Sequence, residues 1–212
     1  MEAIILCGGL GKRLRPLTRD LPKPMVPVNG RPLLQYQLDI LNKYKIEKMI
    51  LACGYKWEKI RQHYGNKFIY SVEEEPLGTA GAVKRALEHV SGSEFIVLNA
   101  DDITDIAIDK FIKMSSITTA VARFHSNFGI VDIKRNKVVQ FREKPLMPYW
   151  ANAGLHLLSK GIKFPEKGSL ENDVLPLLAR QGKLKAYKHE GFWQTVNTTK
   201  DLEEVEAFLK RK

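Results

Sequence analysis

The sequence is poor in the residues that bind zinc or form disulfides. It contains two cysteines, Cys7 and Cys53, and five histidines, and neither set has the spacing of metal ligands. Each cysteine ends a short apolar run, a position that favours a buried free thiol over a disulfide. The composition therefore argues against a zinc protein and against a small domain held together by disulfides.

Long apolar segments are also lacking. No run approaches the roughly 20 residues that a transmembrane helix needs. The first apolar segment is short and has no basic residues before it, unlike a signal peptide. We therefore expect a cytoplasmic protein without a membrane partner.

Positive charge is abundant but is not concentrated in one block. The formal net charge is +10, and the lysines and arginines are spread along the 212 residues without a recognisable nucleic-acid-binding motif. The charge can be solvated surface, or it can steer anionic nucleotides and sugar phosphates to a site. A nucleic-acid partner is the weakest of these interpretations.

Strand and helix patterns alternate through the first half of the chain. Predicted strands lie at residues 3–6, 48–53, 68–72 and 95–98, and predicted helices at 33–41, 57–64 and 78–90. Shorter strands follow at 118–124, 129–133, 138–142 and 153–158, then a helix at 170–181, a strand at 184–187 and a helix at 200–209. This order predicts a Rossmann-like, three-layer α/β/α fold with a mostly parallel mixed sheet and a small β extension.

A glycine-rich loop follows the first predicted strand. Its glycines can adopt positive φ and let backbone N–H groups approach a bulky anion; they are Gly8, Gly9 and Gly11. Four cations lie close by in sequence: Lys12, Arg13, Arg15 and Lys23. The loop lacks the Lys-Ser or Lys-Thr pair of a P-loop and the spacing of a dinucleotide fingerprint. The pattern predicts a different kind of polyphosphate-binding loop.

A pair of acids follows another buried strand. Asp101 and Asp102 come after the strand at 95–98, as Gly8 comes after the first strand. Ligands of open α/β sheets bind beyond the carboxyl ends of the strands, so Gly8 and Asp101 are expected to share one site. Carboxylates suit Mg²⁺, although Asp102 can instead cap the segment that follows.

Two consecutive motifs carry a family resemblance. Residues 8–18 read GGLGKRLRPLT and residues 22–28 read PKPMVPV. Together they resemble the signature of the sugar-1-phosphate nucleotidyltransferases, and weaker similarities continue to about residue 200. The resemblance implies one nucleotidyltransferase domain over 1–212 without the β-helix domain of longer relatives. It also implies an NTP and a sugar 1-phosphate as substrates and Mg²⁺ as cofactor.

The resemblance assigns roles to individual residues. Arg13 matches the arginine that grips the triphosphate, Lys23 the lysine near the reaction centre, and Asp101 the first Mg²⁺ ligand; these are the catalytic candidates. The implied nucleotide-binding residues are Leu6, Gly8, Gly9, Gly11, Lys12, Arg13, Glu73, Gly78 and Thr79. The implied sugar-phosphate-binding residues are Gly129, Glu143, Lys144 and Asn152, found in segments that read FGIV, FREKP and NAG.

The segment EEEPLGTAGA, residues 73–82, has two interpretations. It can be a plain helix N-terminus whose acids suit the helix dipole. Alternatively, Gly78 and Gly81 let a flat ligand approach the backbone. By resemblance it is the base-recognition loop, and its form is most similar to mannose-1-phosphate guanylyltransferases, which indicates GTP.

The last motif departs from the family pattern. Residues 191–198 read GFWQTVNT, so Thr195 stands where most relatives have the aspartate that is their second metal ligand. Asn197 is the alternative second ligand, since an amide oxygen can bind Mg²⁺ without contributing charge. Three hypotheses stay open: an enzyme making a GDP-sugar such as GDP-mannose, a cytidylyl- or thymidylyltransferase, and a nucleotide-sugar-binding subunit with reduced catalysis. A homo-oligomer is compatible with each of them.

Overall fold

The computed structural model describes residues 1–46, 48–114 and 117–211. Its strands are β1 (Glu2–Leu6), β2 (Pro27–Val28), β3 (Arg31–Pro32), β4 (Lys48–Cys53), β5 (Ile69–Val72), β6 (Glu94–Asn99), β7 (Asp102–Thr104), β8 (Thr118–His125), β9 (Ile130–Lys134), β10 (Lys137–Arg142), β11 (Leu146–Ser159), β12 (Lys185–His189) and β13 (Trp193–Thr195). Its α-helices are α1 (Leu33–Lys43), α2 (Trp57–Tyr64), α3 (Gly78–Ala86), α4 (Ile108–Ile112), α5 (Leu175–Arg180) and α6 (Thr199–Leu209). None of the helices in the described part of the chain has the length and apolar composition needed to cross a membrane.

A seven-stranded sheet in the order β12-β8-β11-β6-β1-β4-β5 forms the centre of the molecule. Strand β1 is parallel to both of its neighbours, β4 and β6, and β5 is parallel to β4. Strand β11 runs antiparallel to β6 and β8. The sheet is therefore mixed and mostly parallel, as the sequence predicts.

Helices cover both faces of this sheet. In β1, Ala3 and Ile5 point into a core completed by residues of α1 and α2. Ile4, between them, points into the opposite core, which contains residues of α3 and α5. Successive side chains of a strand face opposite sides, so the apolar run Ala3–Leu6 of β1 requires a helical layer on each face. The predicted three-layer α/β/α arrangement is confirmed.

A third apolar cluster joins the two ends of the chain. Leu14 and Val26, from the amino-terminal segment, pack with Val196 and with Val205 of α6. The short pair β7–β13 lies beside this cluster and aligns Asp102 with Thr195. Residues that are nearly two hundred positions apart in sequence are thereby held at the same end of the sheet.

The element bounds differ from the sequence expectations mainly in the second half. Strand β11 spans Leu146–Ser159, whereas the sequence predicts only its apolar carboxyl-terminal part. The helix predicted over 170–181 consists of a π-helical turn, Leu170–Val174, followed by α5. Both cysteines are buried free thiols, as predicted.

Glu2 links β1 to the segment that precedes β6. Its carboxylate accepts the N–H groups of Gly92 and Ser91, at 2.7 and 2.9 Å from Oε2, and pairs with the Lys48 ammonium at 2.5 Å. Burial alone would raise the pKa of Glu2, but the Gly92 N–H, the Lys48 ammonium and the Ser91 N–H together lower it to about 2. The charged form is therefore strongly favoured in the folded protein.

Replacing Glu2 with glutamine is expected to reduce the free energy of unfolding by roughly 2–3 kcal/mol at neutral pH. Because the folded pKa lies below the unfolded value of 4.5, this contribution is present above pH 4.5 and is lost as the pH falls towards about 2. Urea unfolding of wild type and Glu2→Gln between neutral pH and pH about 3 tests this. A difference that is independent of pH would contradict it.

Candidate active site

A cavity of about 260 Å³ lies beyond the carboxyl ends of β1 and β6. Leu6, the last residue of β1, accepts a hydrogen bond from the Ala100 N–H at 3.2 Å, which joins the two strand ends. The residues that line the cavity are Gly8, Gly9, Gly11, Lys12, Arg13, Lys23, Asp101 and Asn197. All of them are candidates that the sequence singles out, so the expected shared site of Gly8 and Asp101 is present.

The glycine loop has a conformation that its residue types explain. Gly9 and Gly11 have φ values of 94° and 55°, which favour glycine. A Cβ on Gly11 would also come within 2.9 Å of the buried Thr18, whose hydroxyl donates to the Gly11 carbonyl at 2.7 Å. The 3₁₀ turn that follows buries Leu14 and leaves Lys12 and Arg13 exposed at the cavity.

Lys23 lies between two oxygen-bearing side chains in the cavity. Its ammonium forms an ion pair with Asp101 and donates to Asn197 Oδ1 at 2.9 Å. The same amide oxygen accepts from Arg13 Nη2 at 2.8 Å. Asn197 Nδ2 donates to Thr195 Oγ1 at 3.3 Å, which fixes the orientation of the amide. Asn197 therefore positions the two cations that the sequence assigns to catalysis.

Asp102 is the buried member of the acid pair. It begins β7 and accepts a hydrogen bond from Asn99 Nδ2 at 3.0 Å, so it is not simply a cap. Burial, and then the neighbouring charge of Asp101, raise the pKa of Asp102 to about 8, although contacts from Asn99, Thr195 and Lys23 oppose the shift. At neutral pH Asp102 is thus expected to be mainly protonated, and Asp101 is the acid of the pair that faces the cavity.

Glu73 lies directly behind the glycine loop. Its Oε2 accepts the Leu77 N–H at 3.1 Å. A Cβ on Gly54 would come within 2.6 Å of Glu73 Oε1, and one on Gly8 within 3.1 Å. These two glycines leave room for the carboxylate beside the loop, but Glu73 does not line the cavity, and its binding of nucleotide remains a prediction.

The glycines at the start of α3 have a different role from the one expected. A Cβ on Gly78 would lie 2.3 Å from the Gly168 carbonyl oxygen, and one on Gly81 would lie 2.4 Å from the Glu166 carbonyl oxygen. The expectation that these glycines make room for a flat ligand is therefore wrong on the side where a Cβ would point. That space holds the backbone of residues 166–168.

Thr79 also faces this segment. Its hydroxyl donates to Glu171 Oε2 at 2.8 Å and accepts from the Leu170 N–H at 2.7 Å. Gly78 and Thr79 do not line the cavity described above, so their binding of nucleotide remains a prediction.

The four sugar-phosphate candidates lie outside the cavity lining. Glu143 is close to Gly129, since a Cβ on Gly129 would be 3.0 Å from Glu143 Oε2. Asn152 Oδ1 accepts the Gly154 N–H at 3.1 Å. Gly154 itself lies so close to Asp102 and Asn99 that a Cβ would be 2.0 and 2.4 Å from their side chains. Asn152 is thus connected through Gly154 to the acid pair.

Lys144 lies near Lys200, a residue that the sequence analysis did not identify as a candidate. The side chain of Lys144 lies close to that of Lys200, near the start of α6 and three positions beyond Asn197. No motif identifies Lys200, because its relevance depends on the folded position of Lys144. Two adjacent ammonium groups make a favourable place for an anion.

The site offers few protein ligands for a metal. Within residues 1–46, 48–114 and 117–211, no group of three or more His, Cys, Asp or Glu side chains could hold one. Asp101 and Asn197 nevertheless direct oxygen atoms at one shared cation, the Lys23 ammonium. Oxygen donors of this kind suit a hard divalent ion that takes its other ligands from substrate and water.

Comparison with known proteins identifies relatives over the whole chain. The chain is 40% identical over 172 residues, 76% of its length, to a D-glycero-α-D-manno-heptose 1-phosphate guanylyltransferase of Campylobacter jejuni, of which it covers 77%. In an alignment of 226 positions, it is 34% identical to a mannose-1-phosphate guanyltransferase of Emericella nidulans. This alignment covers 95% of this chain and 62% of that protein.

A solved structure has the same fold. The crystal structure of HddC from Yersinia pseudotuberculosis complexed with GMP-PN superposes with a TM-score of 0.78 at 28% identity, over 98% of this chain and 99% of that one. A family model described as "Nucleotidyl transferase" matches residues 2–212. The chain belongs to the nucleotidyl transferase family.

Proposed function

We propose that this protein transfers GMP from GTP to the 1-phosphate of a manno-configured sugar, giving a GDP-sugar and pyrophosphate. The observation that supports this most directly is the cavity in which a glycine loop, three cations and Asp101 converge. Two relatives are named as guanylyltransferases of heptose 1-phosphate and of mannose 1-phosphate. These names support the choice of guanine as the base and of a manno-configured sugar. An NTP-using enzyme with two unpaired thiols fits a cytoplasmic location.

The reaction needs positioning and charge compensation from the protein. The attacking oxygen belongs to a sugar phosphate, whose second pKa is about 6, so it is already ionised at neutral pH. No general base is required, but two polyanions must be brought together. In the proposed complex, Lys12 and Arg13 bind the triphosphate beside the glycine N–H groups. The ammonium of Lys23 binds oxygens of the α-phosphate, whose phosphorus is attacked.

Binding of a triphosphate changes the partners of Lys23. In the free protein its ammonium is held by Asp101 and Asn197. A phosphate group competes for the same ammonium, and as Lys23 turns towards it, the oxygens of Asp101 and Asn197 become available to another cation. The residues that hold Lys23 in the free site are thus the ones proposed to hold the metal in the loaded site.

We propose Mg²⁺ as that cation, held by Asp101 and, in part, by Asn197. Bound there, Mg²⁺ would supply positive charge that offsets the repulsion between the two phosphate-bearing substrates. The amide of Asn197 adds an oxygen but no charge, so Asp101 carries the electrostatic part of this proposal.

Glu73 supports guanine as the base. An ionised carboxylate only accepts hydrogen bonds, and the Watson–Crick edge of guanine presents N1–H and N2–H donors that such a group can accept. Uracil and thymine place acceptor oxygens on both sides of a single N–H, which a carboxylate disfavours. We therefore propose that Glu73, which packs against Gly8 of the cavity lining, selects GTP.

Replacing Glu73 with glutamine is expected to lower kcat/KM for GTP by roughly 10²-fold and to reduce the preference for GTP over UTP and dTTP. The physical reason is that the amide replaces one acceptor with a donor that faces the guanine N–H groups. Steady-state kinetics with each nucleotide measure the effect, and Glu75→Gln, an exposed acid two residues away, is the matched control. Equal losses in the two variants would argue against the assignment.

The sugar phosphate is proposed to bind on the other side of Asp101. Lys144 and Lys200 would hold its phosphate, since their ammonium groups are already close together. Glu143 and Asn152 would bind sugar hydroxyls, with Gly129 placed beside Glu143 and the Phe141 ring. This arrangement extends the nucleotide cavity towards the ribbon formed by β9 and β10.

The decisive experiment is a substrate panel. Pyrophosphate release is measured for GTP, ATP, CTP, UTP and dTTP, each with mannose 1-phosphate, a manno-heptose 1-phosphate and glucose 1-phosphate. Release with GTP and a manno-configured sugar supports the proposal, and release only with CTP or dTTP replaces guanylyl by another nucleotidyl transfer. Tight nucleotide binding without release with any pair would favour a nucleotide-sugar-binding subunit.

A further inference from the structure

Strands β12, β8 and β11 form one side of the central sheet, and near their active-site end one face of these strands is open to solvent. Ala120 and Ala122 of β8 point into the same core as Ile5, and Tyr187 of β12 packs edge-on against Phe111 with 5.6 Å between ring centroids. Successive side chains of a strand point to opposite faces. The open face therefore carries the side chains that alternate with this buried set.

The open face brings together residues from all three strands. Trp150 of β11 pairs with Arg123 of β8, while Val121 of β8 pairs with Asn152 on one side and with Lys188 of β12 on the other. Arg123, Asn152 and Lys188 are exposed, and Trp150 is half-buried. Trp150 and Asn152 are two positions apart on one strand, so their side chains leave the same face about 7 Å from each other.

Trp150 holds two cations against its ring. Arg123 Cζ lies 4.1 Å and Lys188 Nζ 5.5 Å from the ring centroid, and these three residues are here called the cationic cluster. A guanidinium that stacks through its flat face keeps the N–H groups at its edge free for bidentate contact with a carboxylate or phosphate.

No acid of the protein neutralises these charges. Among the ion pairs formed in the part of the chain that the structure describes, none includes Arg123 or Lys188. The aromatic ring thus orients the two cations while their charge stays uncompensated. This combination favours an anion as the ligand of the cationic cluster.

Asn152 connects the cationic cluster to the sugar subsite. Its Oδ1 accepts the Gly154 N–H at 3.1 Å and the Thr119 hydroxyl at 3.3 Å. Because the amide oxygen is used in this way, Asn152 meets a ligand through its Nδ2 donor, which suits a sugar hydroxyl oxygen.

The other end of the sugar subsite lies beyond the cationic cluster along β8. His125, two positions after Arg123, has its Nδ1 2.9 Å from the Lys144 carbonyl oxygen. In the order of the strand, Arg123 therefore lies between the partner of Asn152, which is Val121, and the residue that contacts Lys144. A sugar phosphate held by Asn152 and Lys144 would pass beside the cluster.

We propose that the cationic cluster binds a second anionic group of the sugar substrate, a carboxylate or phosphate at the end of the sugar remote from C1. This subsite rests on the proposed function, in which Lys144 and Lys200 take the 1-phosphate and Asn152 takes a hydroxyl. The separation of about 7 Å between the Trp150 and Asn152 positions is comparable with the span of a pyranose ring. The substrate class is thereby narrowed to acidic sugar 1-phosphates, since a neutral sugar would leave both cations to water.

Two sugar phosphates that differ only at C6 test this subsite. D-Mannuronic acid 1-phosphate has a carboxylate where D-mannose 1-phosphate has a hydroxymethyl group. With saturating GTP and Mg²⁺, kcat/KM of the full chain is expected to be about 30-fold higher for the acid. D-Mannose 1,6-bisphosphate, the third substrate, distinguishes a phosphate subsite from a carboxylate subsite. A preference for either acidic sugar supports the proposal.

Arg123→Gln removes the charge and keeps a polar side chain, so it is expected to bring kcat/KM for the acidic and neutral sugars within about threefold of each other. Arg180→Gln is the matched control, because Arg180 is an exposed arginine at the end of α5. It precedes β12, which runs parallel to β8, and so lies at the edge of the sheet opposite the cavity. This variant should keep the wild-type preference within about twofold.

Titration calorimetry of each sugar phosphate without nucleotide makes the test independent of catalysis. The Kd should be about 30-fold lower for the acidic sugar in wild type, and Arg123→Gln should lose this difference. Turnover of mannose 1-phosphate without a preference for either acidic sugar, or an equal preference in Arg123→Gln and Arg180→Gln, overturns the anionic subsite and leaves the proposed function intact. Binding of the acidic sugar that depends on Arg123, without turnover of any sugar phosphate, overturns the proposed transfer and supports the subsite.

Discussion

Replacing Lys23 with methionine is expected to lower kcat/KM by about 10³-fold, with most of the loss in kcat. Lys23 is the cation whose ammonium already contacts Asp101 and Asn197 in the free site, so it lies where the two substrates are proposed to meet. Methionine keeps much of the length and apolar stem but removes the charge. Initial-rate kinetics with varied GTP and sugar phosphate separate kcat from KM.

The control for Lys23 is the equivalent change at Lys67, an exposed lysine outside the cavity lining. Lys67→Met should leave both constants unchanged within about twofold, because the loss of one remote charge is largely screened. If Lys23→Met retained nearly wild-type kcat and changed only KM, Lys23 would be a ground-state binding residue instead.

Asp101→Asn is expected to reduce turnover by about 10³-fold or more, since it removes the negative charge that the cavity offers to a metal. Among the residues that the structure describes, Asp101 is the one carboxylate in the cavity lining. The fold should be retained because Asp101 is partly exposed and asparagine has nearly the same shape. The melting temperature is therefore expected to change by only a few degrees.

The dependence of GTP binding on Mg²⁺ is a second measurement that tests Asp101→Asn. Titration calorimetry of GTP into wild-type protein should show tighter binding with Mg²⁺ than without it, and this difference should disappear in Asp101→Asn. Asp109→Asn, in α4, serves as the control and should keep the difference. Unchanged turnover in Asp101→Asn would refute the metal assignment directly.

Local sequence pattern was sufficient for much of the fold. The helix predicted over 57–64 coincides with α2, because a turn signal precedes it and Gly65 follows it. Strands β4 and β6 were predicted within one or two residues, since short apolar runs bounded by polar residues are typical of buried parallel strands.

The short pair β7–β13 could not be predicted in the same way. Each of these strands has three residues, and they pair Asp102 with Thr195 across more than ninety positions. Neither segment has enough length to show periodicity. Their existence depends on the packing of α6 against the amino-terminal segment, which is a tertiary effect.

The meeting of Gly8 and Asp101 in one cavity could be predicted from the strand ends. Gly8 follows β1 and Asp101 follows β6, and these strands are parallel neighbours, so the cavity between them follows from topology. The sequence suggests that Gly78 makes room for a ligand. In the structure, the backbone of Gly168 lies on the side where a Cβ of Gly78 would point, which the sequence does not show. Lys200 was missed for the same reason, since only the folded chain brings it to Lys144.

The third apolar cluster has a consequence for synthesis of the protein. Leu14 and Val26 leave the ribosome well before Val196, Asn197 and Val205 do. A nascent chain halted before β13 therefore presents its glycine loop without the amide that orients Arg13 and Lys23. Nucleotide affinity should therefore rise only after β13 and α6 have emerged from the ribosome.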